Sequence, residues 1–298
     1  MTSEVQVEAE FEEYAEKAPL TTVVLELMRR KPLGAAGALI VIVMILMAVF
    51  ANLLTSYDPT ANSFAEMHAA PSAEHWLGTD QFGRDLLSRI IHGARTALFV
   101  GFVSAFVGAS LGLVLGVGSA YFGGRIDLIF QRVMDVFMAF PLIIMALAVV
   151  SIFGTGTQNV IIAITIPEVP RVVRLVRAVV LTIREQPYVE AAVSVGTKLP
   201  KILWKHILPN TMAPLIVQAT YVCASAIVIE SILSFLGAGT PPEVPSWGNI
   251  MAEGRDYFQI APWMIFFPGL LLAITVLAVN ILGDGLRDSL DPRIARRM

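Results

Sequence analysis

Residues Pro32 to Tyr57 contain no charged side chain. At 1.5 Å per residue, part of that run covers a hydrocarbon core of about 30 Å. Thr96 to Gly124 and Val136 to Pro167 are two more such runs, and Ala261 to Gly283 is another. Thr211 to Ile229 opens a further span expected to reach Leu236. The segment Gly154-Thr155-Gly156-Thr157-Gln158-Asn159 interrupts the third run. Its glycines and polar residues read as a turn between two helices. That run therefore divides into spans near Phe137–Phe153 and Val160–Val176, which gives six in total. The chain is 56% hydrophobic and only 15% charged, with a mean hydropathy of +0.70. Those values exclude a water-soluble enzyme of this length. Long continuous apolar runs favour helices over a β-barrel, whose strands are short and alternating. The expected fold is an all-α polytopic membrane protein.

Lys and Arg orient such a chain, because they collect on the cytoplasmic side. With six spans and both termini cytoplasmic, 17 of the 21 fall inside, and only Arg84, Arg89, Arg95 and Arg255 fall outside. The expected organisation follows. Residues 1–32 form a cytoplasmic tail, with a helix near Leu20–Arg30, and 33–57 the first span. Residues 58–95 form an external loop with an interfacial helix. Residues 96–283 form a core of five spans, and 284–298 a cytoplasmic tail. Residues 4–16 hold six Glu, the opposite of a secretory leader. Net charge is -3, which gives no basic footprint for nucleic acid. Cys223 is alone and has no partner for a disulfide within the chain.

Several polar groups carry two readings each. Glu168 lies between Pro167 and Pro170 in the fourth span. It either pairs with Arg171 at i+3 or lines a translocation path. The two prolines are expected to break the helix there. Glu230, toward the outer end of the fifth span, either reaches the interface or a partner chain, or contributes to the path. Arg171, Arg174 and Arg177 read as cytoplasmic anchors, with contact to a partner or to lipid headgroups as the alternative. Asp80 is a candidate cap for an interfacial helix in the outer loop. Gly101, Ala105, Gly108, Gly112, Gly116 and Ser119 form one small-residue stripe, read as close packing or as a narrow pore wall. Trp76, Trp247 and Trp263 fall at the outer boundary and Trp204 at the inner one, where indoles favour the headgroup level. His68, His75 and His92 lie across the membrane from His206, so no acid–base or zinc cluster forms with it.

The basic loop at about 184–209 is the most informative segment. Pro187 starts a short helix through Glu190, Ala191 and Ala192, and Gly196 is placed for its exit. A second helix is expected to begin near Pro200, with Pro209 at the membrane re-entry. By residue chemistry alone this is either a docking plug for a cytoplasmic partner or an ordinary amphipathic loop.

The spacing Glu190-Ala191-Ala192, three residues, Gly196, then Leu208-Pro209 resembles the Glu-Ala-Ala signature of ABC importer permeases. This chain carries His206 where that signature has Ile. The phrase from His206 to Asn210, the segment Leu77–Arg89, Pro245–Asn249 with Ala252–Tyr257, and Asn280–Arg293 resemble the dipeptide and oligopeptide branch, in particular its C subunit. The resemblance covers roughly residues 20 to 295. It implies the six-helix type I permease fold in the cytoplasmic membrane. It implies a second, B-type permease subunit, two ATP-binding subunits and an extracytoplasmic peptide-binding protein. Glu190, Ala191, Ala192, Gly196, His206, Leu208 and Pro209 are then the elements that couple to the ATPases. No Gly-x-x-x-x-Gly-Lys-Ser/Thr run is present, so the chain is not expected to hydrolyse ATP or bind a cofactor of its own. ATP and Mg would be used by the partners. The cargo implied is a di- or oligopeptide. Nickel chelates or glutathione are the alternatives within the family, and a stand-alone secondary transporter or channel using Glu168 is the alternative outside it.

Overall fold

The computed structural model describes residues 32–290 of the chain. The acidic segment 4–16, the helix expected near Leu20–Arg30 and the tail beyond Leu290 lie outside the described residues. Nine helices carry the architecture among those residues: α1 (Pro32–Val49), α2 (Leu86–Phe122), α3 (Gly124–Ala139), α4 (Leu142–Phe153), α5 (Thr157–Arg184), α6 (Pro187–Ser194), α7 (Leu208–Phe235), α8 (Trp247–Gly254) and α9 (Trp263–Leu290). No strand forms among the described residues beyond an isolated bridge, Thr79 to Asp85.

Four helical stretches are long and apolar enough to cross a membrane, and the bent pair α3–α4 makes a fifth if it is counted as one span. The remaining long helix, α5, has 28 residues, about 42 Å. Its Glu168, Arg171, Arg174, Arg177 and Arg184 keep it outside that apolar set.

The small-residue stripe on α2 is a packing surface. A Cβ added at Gly112 would lie 2.4 Å from Val172 Cγ1, and one at Gly116 would lie 2.8 Å from Val176. The partner residues advance by four as the glycines do, so α2 and α5 run parallel in close contact. Gly101 meets Ile227 and Cys223 of α7 in the same way. Without hydrophobic drive in lipid, such backbone approach supplies the dispersion contact that holds helices together. At the other edge of the bundle Gly34 of α1 crosses Gly285 of α9, where an added Cβ would lie 2.9 Å from the Gly285 Cα. Gly112→Leu is expected to lower the unfolding midpoint of the detergent-solubilised chain, by an overpacking cost of about 1–3 kcal/mol. An unchanged midpoint would contradict the α2–α5 contact.

Four expectations are corrected here. The third span is not one helix over Phe137–Phe153: Phe137 belongs to α3, and α4 has only 12 residues, about 18 Å. The chain turns by 92° between them. Pro141 at the bend cannot donate to a helix ladder, and Phe140 before it is extended. Residues 124–139, expected partly as a loop, are helical throughout. The helix α5 runs unbroken through Pro167 and Pro170. Each proline removes one hydrogen bond, but the buried Val172, Val173 and Val176 hold the helix against α2. Finally, the helix expected in the outer loop is not a separate interfacial one but the first turns of α2, which starts at Leu86, and α9 runs to Leu290, into the segment expected as a tail.

Candidate functional site

The loop between α5 and α7 is built as a rigid knob. Pro187 occupies the first turn of α6, where its missing N–H costs nothing. Gln186 joins the two helices: its N–H donates to Ile183 O at 3.0 Å, and its carbonyl accepts from Val189 and Glu190. Val189 is 2% exposed and shares a buried cluster with Val180, Ile183, Ile202 and Ile207. The helix ends in a Schellman motif. The Gly196 N–H donates to Val193 O at 2.9 Å, and the Thr197 N–H to Ala192 O at 3.0 Å. Gly196 sits at φ +75°, the left-handed region that favours glycine. Glu190 and Ala191 are exposed and Ala192 is half-buried. Glu190 stands in the first turn, where a carboxylate suits the helix dipole.

The chain returns through a short turn, Leu199–Ile202, with Pro200 in its first turn, and a π-helical turn, Leu203–Ile207, that leads directly into α7. The His206 ring lies 5.7 Å from that of Tyr188 on α6, centroid to centroid. Leu208 is half-buried and Pro209 is exposed in the first turn of α7. The seven coupling candidates therefore fall on one knob and its return.

Arg171, Arg174 and Arg177 of α5 each pair with a carboxylate. Arg171 Nη1 donates to Glu168 Oε1 at 3.2 Å. Arg174 pairs with Asp135 of α3. Arg177 grips Asp127 of α3 with both Nε and Nη2, the Nε contact at 2.7 Å. Asp127 also accepts from Ser119 Oγ of α2, which in turn accepts from Gln131. Sequence reading missed Asp127, Gln131 and Asp135. Their i, i+4, i+8 spacing on one face of α3 was the available signal.

Glu168 is fully buried, and its Oε1 also accepts from Ser225 Oγ of α7 at 3.0 Å. Its Oε1 thus pairs with Arg171 at i+3, while Oε2 is buried without a hydrogen-bond partner among the described residues. Glu230 lies inside the bundle of this chain. It is 0% exposed and accepts from Ser234 Oγ at 2.8 Å and Thr240 Oγ1 at 3.1 Å. An ionisable group in a bundle is costly unless bonded, and here Ser234 of α7 and Thr240 of the α7–α8 loop supply the donors.

A second polar site closes the opposite end. Arg84 donates to Asp80 at 2.6 Å and to Glu253 at 2.7 Å, and Arg89, 1% exposed, lies 3.4 Å from Asp80 and 3.2 Å from Glu253. Asp80 does not cap the following helix, since its carboxylate serves the Phe82 and Arg84 N–H groups of its own turn. Asp85 is the cap, accepting from the Ser88 N–H at 2.8 Å. His75 Nδ1 lies 2.9 Å from Asp85 and Nε2 lies 3.5 Å from Glu66. Burial pulls the His75 imidazole down, but the two carboxylates outweigh it and leave the group above the usual histidine value. Trp247 is wholly buried, with its indole donating to Ile90 O, and Trp263 donates to Thr79 O. These two indoles pin the outer segment to the bundle. Trp76 and Trp204 remain exposed.

A helical bundle of this kind, with a capped knob at one end and a pinned ion cluster at the other, has close relatives. The chain belongs to the family of binding-protein-dependent transport system inner membrane components, whose description matches residues 108–296. It is a multi-pass inner-membrane transport component without an ATP-binding motif of its own. Within that class, residues 22–71 match the N-terminal transmembrane domain of oligopeptide transport permease C. A probable peptide ABC transporter permease of Sinorhizobium fredii is 50% identical, covering 93% of this chain and 94% of that one. The dipeptide transport system permease of Alkalihalophilus pseudofirmus is 43% identical over 90% of this chain and 88% of that one. A glutathione transport system permease of Escherichia coli is 41% identical over 89% and 88%. Among solved structures, an inward-facing methionine ABC transporter superposes with a TM-score of 0.58 at 23% identity, covering 69% of this chain and 98% of that one. That likeness is one of fold.

Proposed function

We propose that this chain forms one half of the membrane pathway of an ATP-driven importer of di- or oligopeptides. A second permease subunit supplies the other half, two ATP-binding subunits dock beneath, and an extracytoplasmic binding protein delivers cargo. The chain binds no cofactor; ATP and Mg act on the partners. It crosses the membrane six times with both termini cytoplasmic, α5 crossing as the charged helix whose Glu168 is paired. The excess of Lys and Arg on the assigned inner side supports that orientation.

The observation that carries the reading is α6. An eight-residue helix, fixed by buried Val189 and closed by the Gly196 Schellman turn, presents Glu190 and Ala191 outward. A knob that stiff transmits displacement, which is what a gate driven by a soluble motor requires. Peptide as cargo rests on the names of the relatives, and the 41% identical glutathione permease favours a modified peptide as the second reading.

Ala192→Cys in the native membrane tests the docking. Crosslinking to a co-purifying ATP-binding subunit, with a second permease retained on gentle affinity purification, is the expected outcome. An assembled complex with no such crosslink would remove α6 from the ATPase interface.

A further inference from the structure

The Asp127–Arg177 pair joins the knob to the rest of the bundle, in a way that the Glu-Ala-Ala motif does not include. Helix α5 passes into α6 through Glu185 and Gln186 alone, and Gln186 bonds both ends. The lower part of α5 is then tied at three levels, of which the Arg174–Asp135 pair to α3 is the most exposed, with side chains 51% and 41% exposed. Arg184 Nη1 donates to Ala120 O of α2 at 3.3 Å. Two turns earlier, Arg177 makes its two-pronged contact with Asp127 at the start of α3. Ser119 of α2 fills another lone pair of the same carboxylate. One carboxylate thus binds three helices, α2, α3 and α5, and α5 is the one that carries the knob. The side chain of Asp127 is 11% exposed and that of Arg177 is 31% exposed, so solvent screens the pair only in part. Two parallel N–H···O contacts fix angle as well as distance, which a lysine would not do.

We propose that Asp127 and Arg177 are positioning residues for energy coupling: they form the joint through which a displaced α6 carries α3, and with it the bent α3–α4 unit. The inference rests on the reading that α6 docks on the ATPases. Without the joint, only the solvent-screened Arg174–Asp135 pair would hold α5 to α3, too weak a tie to keep α5 from sliding past it, and ATP hydrolysis would continue without moving the pathway. Packing alone does not supply this role, because α3 leaves Ile126, Leu128, Ile129 and Val133 exposed.

The test uses the assembled complex in proteoliposomes, with spin labels on cysteines at Ala191 of α6 and Ile129 of α3. In the wild-type chain the distance between labels stays constant between nucleotide-free and vanadate-trapped states, while α6 moves relative to a label on α1. In Arg177→Gln and Asp127→Asn the α6–α3 distance changes on trapping. ATP-driven uptake of radiolabelled tri-alanine, a probe that the wild-type complex must first be shown to carry, falls about tenfold with hydrolysis retained. The exchange Asp127→Arg with Arg177→Asp restores at least half of the uptake and the constant distance. A purely structural role would lower assembly, hydrolysis and uptake together.

Normal uptake and a constant distance in Arg177→Gln would overturn the proposal. So would a double exchange that assembles but stays uncoupled. If α6 does not move relative to α1 on trapping in the wild-type chain, and the Ala192→Cys crosslink is also absent, the docking reading itself has failed. If the crosslink forms and only the joint variants behave normally, the joint alone has failed.

Discussion

Gly196→Val is expected to reduce ATP-driven uptake by about tenfold while the chain still inserts and the partner subunits still hydrolyse ATP. No heavy atom lies within 4 Å of a Cβ placed at Gly196, so the substitution meets no steric wall. The cost is in the backbone. A β-branched residue at φ +75° carries a penalty of about 1–2 kcal/mol. That penalty falls on the two hydrogen bonds that close α6, from Gly196 to Val193 and from Thr197 to Ala192. A shift of about 1.4 kcal/mol changes a population tenfold, enough to unwind the last turn and soften the knob. Gly196→Asn, which tolerates the left-handed region, is expected to retain most activity. Uptake and hydrolysis measured together on the same proteoliposomes decide it. Equal activity of the Val and Asn variants would show that the backbone turn is not what the coupling step uses.

The second large effect is at the other end. Glu253→Ala is expected to destabilise the outer cap by about 3–5 kcal/mol. Glu253 is the carboxylate on α8 that takes both Arg84 and Arg89. Without it, Asp80 faces two guanidinium groups, one of them 99% removed from solvent. An unbalanced buried charge costs far more than a surface pair contributes. The segment 55–85, which is anchored through Arg84 and the Thr79 carbonyl, should then become sensitive to protease in right-side-out membranes. Glu253→Gln keeps the shape but loses the charge, and should fall between the two. A protease pattern identical to wild type in Glu253→Ala would show that the ion cluster does not hold the cap.

Much of this architecture was legible in one dimension. Uncharged runs located α1, α2, α7 and α9, because burying charge in hydrocarbon is prohibitive and nothing else in the chain competes with that rule. Pro187 and Gly196 bracketed α6 because each has a conformational preference that acts locally. What stayed hidden depends on contacts across the sequence. The carboxylate partners of Arg174 and Arg177 lie 39 and 50 residues upstream, so the arginines looked like anchors or contacts to a partner or lipid, and not like ion pairs within the chain. Glu230 looked accessible because its donors come from Ser234 and a loop residue, Thr240. The unbroken α5 overrode a local rule: two prolines were tolerated because the packing of Val172 and Val176 against glycines outweighed the two lost hydrogen bonds. Pro141 was the opposite case, a breaker inside an uncharged run that length alone concealed.

The 37 residues of α2 form one uninterrupted helix about 55 Å long. Its first turn begins at Asp85, inside the outer ion cluster, and its last turn holds Ser119, inside the inner joint. A stiff rod anchored at both ends makes tilt the natural coordinate of the molecule. A few degrees of lean at one end of a rod about 55 Å long becomes several ångströms at the other, with no relay of side-chain switches between them. The ion cluster and the joint are thus linked by leverage along one helix, and a helix-breaking substitution midway along α2 would disconnect them while leaving both ends intact.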